Sequence, residues 1–439
     1  MLTLKQVTAT HPDYTAMAEQ ANYLYRSYVG GSTYRAGEYL TKYIGEESAP
    51  GDQYSKRLYS TPLDNHVQTT VDIYRSFLFR DLPHRTLGIL ERNPLVADFI
   101  SDADMEGQGL DSFLKTANDL AMVLGSCWIL IDKGSYQVQT QAEEVALGLR
   151  AYAVAYTPQN VLDWNYEREI SGRVRLTHIK VLESDNATEQ KVTIWTPDTV
   201  EKYTVVKDDM GNADHISDYA EYANPLGYVP FVQHTPLKSP TRGIGYSLVA
   251  DVADGQRYVY NLLSELEQTI RISGHPTLVK TPSTTATAGA GGIVSIQEDM
   301  DPGLKPYLLE PSGAGIDGIL ATINSVVEGM QRMTHTNAVQ ATRGTAMSGV
   351  ALKVEQNLLN AKLADLSDTL RETELKMWSV FMDWQNLDWP NDFDVQYANS
   401  FDIEDEHAEI ELLRKAIEIN TDPEFVAAVK AKVALLLDK

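Results

Sequence analysis

Cysteine is almost absent from this chain. Cys127 stands alone, so no intrachain disulfide is available, no thiolate cluster can hold a metal, and a reducing interior is the default expectation. Long apolar runs are missing too: the longest, Leu120 to Ile131, is too short to span a bilayer and ends in Asp132-Lys133. Met1 to Val7 lacks the hydrophobic core of a secretory signal. A soluble intracellular protein, or one assembled in a cell's interior, is therefore expected. Positive charge is scarce, with 37 Lys and Arg against 61 Asp and Glu and a net charge of -24. That balance argues against a protein that grips nucleic acid by its phosphates. It leaves open a surface past which nucleic acid slides, because a repelling wall holds nothing in place.

Familiar catalytic signatures are lacking as well. No phosphate-cradling Gly-x-x-x-x-Gly-Lys-Ser/Thr, nucleophile elbow or Cys-x-x-Cys occurs. His66, His84, His178, His275 and His335 stand in no metal-ligand spacing. Asp102-Ala-Asp104-Met-Glu106-Gly107 imitates the start of a calcium loop, yet the twelfth position, which must supply a bidentate Glu, is Phe113. A turn capping a helix at Leu110 is the better reading. Glu298, Asp299 and Asp301 read as a solvated turn. No cofactor, metal or enzymatic reaction is expected from these residues.

What the chain does have is room and helical pattern. Its 439 residues, 43% hydrophobic and 22% charged, suffice for two or three cores. The stretch around which the rest is organised runs from Gly315 to about Trp384. Ile316, Ile319, Leu320, Ile323, Val326, Val327, Met330 and Met333 recur at spacings of three and four, an amphipathic helix whose other side carries Thr322, Asn324, Ser325 and Gln331. His335 to Gly349 then shows no sustained period and reads as a polar loop, with Arg343 as its one firm positive charge and Ser348 placed to cap the next helix. A loop of that length between two strong helices is unusual, and such loops are often functional. From Val350 a helical pattern resumes through Val354, Leu358, Leu359, Leu363, Leu366, Leu370, Leu375, Trp378 and Phe381. At about 1.5 Å per residue this rod would be on the order of 50 Å long.

Before that stretch the pattern predicts helices over Pro12 to Tyr28, Asn65 to Phe79 and Leu110 to Leu124, the last stopped by Gly125. Cys127 to Ile131 reads as a buried strand. Ala151–Thr157, Arg173–Leu182, Lys191–Thr196 and Lys202–Val206 read as further strands of a mostly antiparallel sheet. A second long helix is expected from Tyr246 to Ile272 with Leu262 and Leu266 on its stripe, followed by short strands between Thr277 and Pro311. Phe393 to Tyr397 is strand-like, and acidic helices are expected over Glu404 to Ile419 and Pro423 to Leu437. The class is α+β.

The order of these parts, with Gly243-Ile-Gly-Tyr-Ser247, Thr157-Pro-Gln-Asn-Val-Leu-Asp-Trp164, Leu226-Gly-Tyr-Val-Pro-Phe231, Gly107-Gln-Gly-Leu-Asp-Ser-Phe113 and Ser348-Gly-Val-Ala-Leu352, resembles the portal proteins of tailed double-stranded-DNA bacteriophages. The likeness covers nearly the whole chain and lies in the order more than in any phrase. It implies a ring, usually of twelve subunits, at one capsid vertex of the virion, assembled in the host cytoplasm, with DNA passing through its centre. By that resemblance residues 1–244 and 350–403 form the wing. Residues 245–274 and 315–333 are the two stem helices, packed through Leu262, Leu266, Ile319, Ile323, Val327 and Met330. Residues 275–314 are the clip, where terminase and then a head-to-tail adaptor dock. Ile293, Val294 and Ile296 offer a strand to the neighbouring subunit there, beside Glu298, Asp299 and Asp301. Residues 334–349 are the tunnel loop, with His335, Asn337, Gln340, Thr342, Arg343, Thr345 and Ser348 toward the DNA, and residues 404–439 are a short crown. Capsid and scaffold proteins are implied partners, and DNA is a cargo bound without sequence preference. Two other readings remain: a non-catalytic virion adaptor or scaffold that encloses no DNA, and an acidic enzyme using Asp163 or the acids near Asp102.

Overall fold

The computed structural model describes residues 1–47, 52–134, 140–274, 277–281, 285–286, 294–295, 301, 303, 305–309, 314–340 and 349–401, with single positions at 415, 426 and 429. The helices are α1 (Leu4–Thr8), α2 (Tyr14–Val29), α3 (Gly31–Arg35), α4 (Ile44–Glu47), α5 (Gln53–Ser60), α6 (His66–Leu78), α7 (Pro94–Ser101), α8 (Leu110–Leu124), α9 (Gln141–Ala146), α10 (Ala250–Gly274), α11 (Ala314–Met333), α12 (Asn337–Gln340) and α13 (Gly349–Gln385). The strands are β1 (His84–Thr86), β2 (Cys127–Lys133), β3 (Ala151–Tyr156), β4 (Val161–Arg168), β5 (Val174–Asp185), β6 (Glu189–Trp195), β7 (Thr199–Lys207), β8 (Ala213–Ala223), β9 (Phe231–His234), β10 (Thr277–Val279), β11 (Thr285–Ala286), β12 (Val294–Ser295), β13 (Tyr307–Leu309) and β14 (Asp394–Gln396). The class is α+β, with every strand pair antiparallel. Among the described residues no helix is long and apolar enough to cross a membrane.

Local chemistry sets the boundaries. The Asn65 side chain accepts from the Gln68 N–H at 3.0 Å and starts α6. Asn93 does the same for Leu95, with Pro94 as the first residue of α7. Gly125 ends α8 at φ +90°, and a Cβ there would lie 2.3 Å from the carbonyl oxygen of Gly245. Only glycine lets the two backbones touch.

Sheet order is β4-β5-β6-β7-β8 in the large meander and β3-β2-β9 in the small sheet. Two cores flank α8. Ala117 and Ala121 face one with α7, β2 and the far end of α13, including Phe99, Trp378 and Phe381. Met122, Val123 and Leu124 face the other with α2, α6, the roots of α10 and α11, and Leu359, Leu363, Leu366 and Leu370 of α13. The long helix thus serves one core with its middle and the second with its end, and its buried face turns along its length.

Three expectations need correction. The helix expected from Tyr246 begins at Ala250 and runs to Gly274. Its would-be first turn is spent elsewhere: Tyr246 N–H donates to Leu237 O, Leu248 N–H to Met122 O and Val249 N–H to Ser247 Oγ. Strand β8 was not expected from the sequence, because it lies at the open edge of the meander with mostly exposed side chains and shows no alternation. Asp214, Asp218 and Glu221 charge that edge against pairing with another chain. Val354 and Leu358, expected on the apolar stripe of α13, are exposed. The acidic segment 404–439 lies outside the described residues apart from single positions.

A buried histidine makes stability pH-dependent. His234 lies between Thr373 Oγ1 at 2.8 Å and Asn118 Oδ1 at 3.1 Å. Burial, with Lys376 nearby, pushes its pKa down to about 3. A depressed folded-state pKa means that full stability is present above the unfolded value of about 6.5 and is lost as pH falls toward 3. Asp119, pushed up to about 6 by burial against the pull of Arg75, works in the opposite sense. Its cost is present above pH 6 and fades as the pH falls toward the unfolded carboxylate value. Replacing His234 with Gln isolates the histidine. The stability of the wild type relative to H234Q is expected to fall by about 1.4 kcal/mol per pH unit between pH 6 and 4, read from urea midpoints. A pH-independent difference would show that the ring is not held neutral.

Candidate functional site: the helical hairpin and its hinge

Helices α10 and α11 form an antiparallel hairpin. At its root, Gly255 near the start of α10 faces Met330 near the end of α11, where a Cβ would lie 2.6 Å from the Met330 sulfur. At the other end β10 pairs with β13, Thr277 opposite Leu309 and Val279 opposite Tyr307. At about 1.5 Å per residue the arms are about 37 and 30 Å long.

The root is anchored, and among the described residues burial falls away from it, although Tyr43 and Ser60 still donate to Glu265 and Glu267. Val252, Ala253, Val259 and Met330 are buried in the core that holds Leu359 and Leu363. The buried Gln256 accepts from Val67 N–H at 3.0 Å and donates to Ser27 O at 3.1 Å. Tyr260 OH donates to Leu58 O at 2.8 Å, and Arg57 donates to Ser264 Oγ at 2.9 Å. Arg57 also pairs with Glu46 at 2.6 Å, which holds that carboxyl below its usual range. From Glu265 to Arg271 no residue of α10 is buried, and on α11 the first buried residue among those described is Met330. Leu262, Leu266, Ile319, Ile323 and Val327 are half-buried, while Tyr258, Ile270 and Leu320 are exposed. The exposed residues of α11 are mostly small or polar, with Asp317, Thr322, Asn324, Ser325 and Glu328, and Arg332 stands 3.9 Å from Glu328.

A compact polar hinge closes the root. Thr334 donates its hydroxyl to Met330 O at 3.0 Å and lies 2.9 Å, oxygen to oxygen, from the hydroxyl of the buried Thr336. His335 between them takes φ +55°, and Thr336 O accepts from Val339 and Gln340 N–H. Those two bonds build α12, which corrects the expectation that the loop has no structure before Gly349. Gln340 donates to Thr336 Oγ1 at 2.9 Å and accepts from Gln331 Nε2 at 3.1 Å, so its amide is spent inside the hinge. His335, Asn337 and Gln340 all belong to this hinge, each half-buried. Thr342, Arg343, Thr345 and Ser348 lie outside the described residues.

Tyr74 on α6 ties this hinge to the core, its buried hydroxyl donating to Thr334 O at 2.7 Å. Burial raises the phenol far above its ordinary pKa, so it remains a donor at neutral pH. Y74F leaves a buried carbonyl without that partner, a loss of about 1–3 kcal/mol. Amide exchange in residues 334–340 is expected to accelerate by about tenfold or more, with α8 unchanged as internal reference. Equal exchange in both proteins would mean that the tyrosine does not hold the hinge.

At the hairpin's far end β12 pairs within its own chain, Val294 opposite Ala286 and Ser295 opposite Thr285. The strand expected to be offered to a neighbour therefore already has one internal partner, and its second edge faces away from β11. Ile293, Ile296, Glu298 and Asp299 lie outside the described residues. Asp301 is exposed and accepts from Gly303 N–H at 3.0 Å, as a solvated turn requires.

Sites of other chemistry dissolve into structure. Asp104 Oδ1 accepts from Glu106 and Gln108 N–H, Asp102 Oδ1 accepts from Gly107 N–H, and Asp102 Oδ2 lies 3.1 Å from Arg150. The carboxylates of this calcium-like turn are used by its own backbone and by Arg150. The turn does not cap α8 directly, since the N-cap is Gly109 and no side chain bonds there. Asp163 lies 3.6 Å from His178 and accepts from Trp164 N–H. Burial pushes the Cys127 thiol up to about 12, so it is no nucleophile at neutral pH. Among the described residues no group of three His, Cys, Asp or Glu is placed to hold a metal. No family model matches this chain, and no curated protein does either.

Proposed function

We propose that this chain is one subunit of a ring-shaped conduit for double-stranded DNA, the portal at the unique capsid vertex of a tailed bacteriophage, with no catalytic activity of its own. The observation that carries the reading is the α10/α11 hairpin: held at its root by Gln256, Tyr260 and Met330, it loses burial beyond Ser264, with Ile270 and Leu320 exposed. Exposed apolar side chains on both arms call for a partner surface, and copies of the same hairpin arranged around an axis supply one. The remaining pieces support the same assignment. The small polar residues exposed on α11, whose one arginine is paired with Glu328, suit a wall that must not hold its cargo, since phosphate contacts multiplied around a ring would stall movement. The hinge at 334–340 precedes the segment that, by this reading, would narrow the bore. Residues 1–244 and 350–403 would be the wing, residues 275–314 the outward clip for terminase and then a head-to-tail adaptor, and residues 404–439 a crown.

Mass measurement of the purified assembly, together with an averaged end-on view, tests the reading. A closed ring with a central opening is expected. A particle of a single 48.8 kDa chain at micromolar concentration, with the hairpin in solvent, would end it.

A further inference from the structure

We propose that the cavity between β4, the 235–244 turn and the middle of α13 binds a compact, multiply charged oxyanion of the phosphate class. The cavity measures about 270 Å³, at the small end of ligand pockets, which run from roughly 300 to 1,000 Å³. Arg242, Lys238 and Lys376 line it together with one carboxylate, Glu372. Glu372 stands 3.9 Å from each lysine nitrogen, at the outer limit of an ion pair. Arg242 has no carboxylate partner among the described residues. In a chain of net charge -24, where Lys42, Lys191 and Lys207 each stand beside an acid of their own, three cations around one acid leave local charge uncompensated.

The wall is built rather than incidental. Trp164 Nε1 donates to Arg242 O at 3.0 Å, and Gly243 takes φ +84° where a Cβ would strike the same indole nitrogen. Ser239 Oγ accepts from Thr241 N–H at 3.0 Å and donates to Thr241 O at 3.1 Å, which braces the turn that carries Arg242. One unpaired neutral donor lies in the lining. Tyr166 OH donates to Gln233 Oε1 at 3.2 Å, which leaves the buried Gln233 Nε2 with no acceptor. A buried donor without an acceptor is costly unless something fills its place. A carboxylate would bring one charge and two oxygens in one plane. Two net positive charges and donors from a strand, a turn and a helix suit a tetrahedral dianion better. Lys238, Glu372 and Lys376 stand largely in solvent at the cavity's mouth, so the cavity admits a free ion or the terminal group of a small ester.

The test is independent of the conduit reading and uses whichever assembly the full-length protein forms. Inorganic phosphate and glycerol phosphate are each titrated, with sodium chloride holding ionic strength constant, while the melting temperature and the heat of binding are followed. A saturable rise in melting temperature with phosphate is expected. Binding of both compounds would assign the site to ester groups as well, and binding of phosphate alone to the free ion. R242A and K376A should each weaken binding by about tenfold or more, R242K should lie between R242A and the wild type, and R80A, exposed and outside the cavity lining, should match the wild type. No difference between phosphate and chloride in the wild-type protein overturns the proposal without any variant needing to fold. So does a phosphate response that survives undiminished in the R242A/K376A double variant.

Discussion

Replacing Arg85 with Ala is expected to destabilise the fold by about 3–5 kcal/mol, a large share of the total stability of an ordinary domain. Arg85, on β1, lies nearly buried with Nε 2.5 Å from Glu374 Oε1 and Nη2 2.6 Å from Asp111 Oδ1. Glu374, on α13, is wholly buried and also accepts from Trp378 Nε1 at 3.0 Å and from Tyr397 OH at 2.6 Å. One carboxylate therefore gathers a guanidinium, an indole and a phenol from three parts of the chain. Removing the guanidinium leaves a buried negative charge with only neutral donors, a far worse state than an apolar replacement of the whole set. E374Q keeps the shape and the Arg85–Asp111 pair, so its cost should be visibly smaller. Urea midpoints for the three proteins at equal concentration decide the point. A loss below about 1 kcal/mol for R85A would place this cluster among solvent-screened pairs.

Such a cluster shows where reading the sequence stops. Arg85 and Glu374 lie 289 positions apart, and nothing in the neighbourhood of either marks the other. What was legible was local: α8 was placed to the residue because an apolar stripe runs between Gly109 and Gly125. The large meander was legible where one face is buried, as in β6 and β7, and not at β8, where solvent takes nearly every side chain. Tyr246 to Val249 carry a helical pattern, yet their backbone groups bond to Leu237 and Met122, which no periodicity reveals. Helix α12 is a single turn made by Thr336 and Gln340, too short to show a period. The cavity around Arg242 joins three separate segments, and only folding puts Gln233, Arg242 and Lys376 on one wall.

The stripe read along α13 was right in its middle and misplaced at its start, and that misplacement gives the sharpest test of assembly. Val354 and Leu358, four residues apart and so on one face, are 54% and 45% exposed, and the core takes over only at Leu359. If copies of this chain meet across the first turns of α13, each interface gains about 1.5–3 kcal/mol per apolar side chain it covers. Introducing Glu at both positions removes that gain and forces two carboxylates to be desolvated at every contact. The isolated chain should hardly notice. Glu is a good helix former, and exposed substitutions usually change stability by about 0.5 kcal/mol or less. V354E/L358E is therefore expected to keep the wild-type circular dichroism while its particle mass falls from that of the proposed ring to that of a single chain. L320E, on the hairpin, separates the two surfaces. Dissociation by L320E alone would assign the contact to α11, and a ring unchanged by either variant would mean that copies meet through neither face.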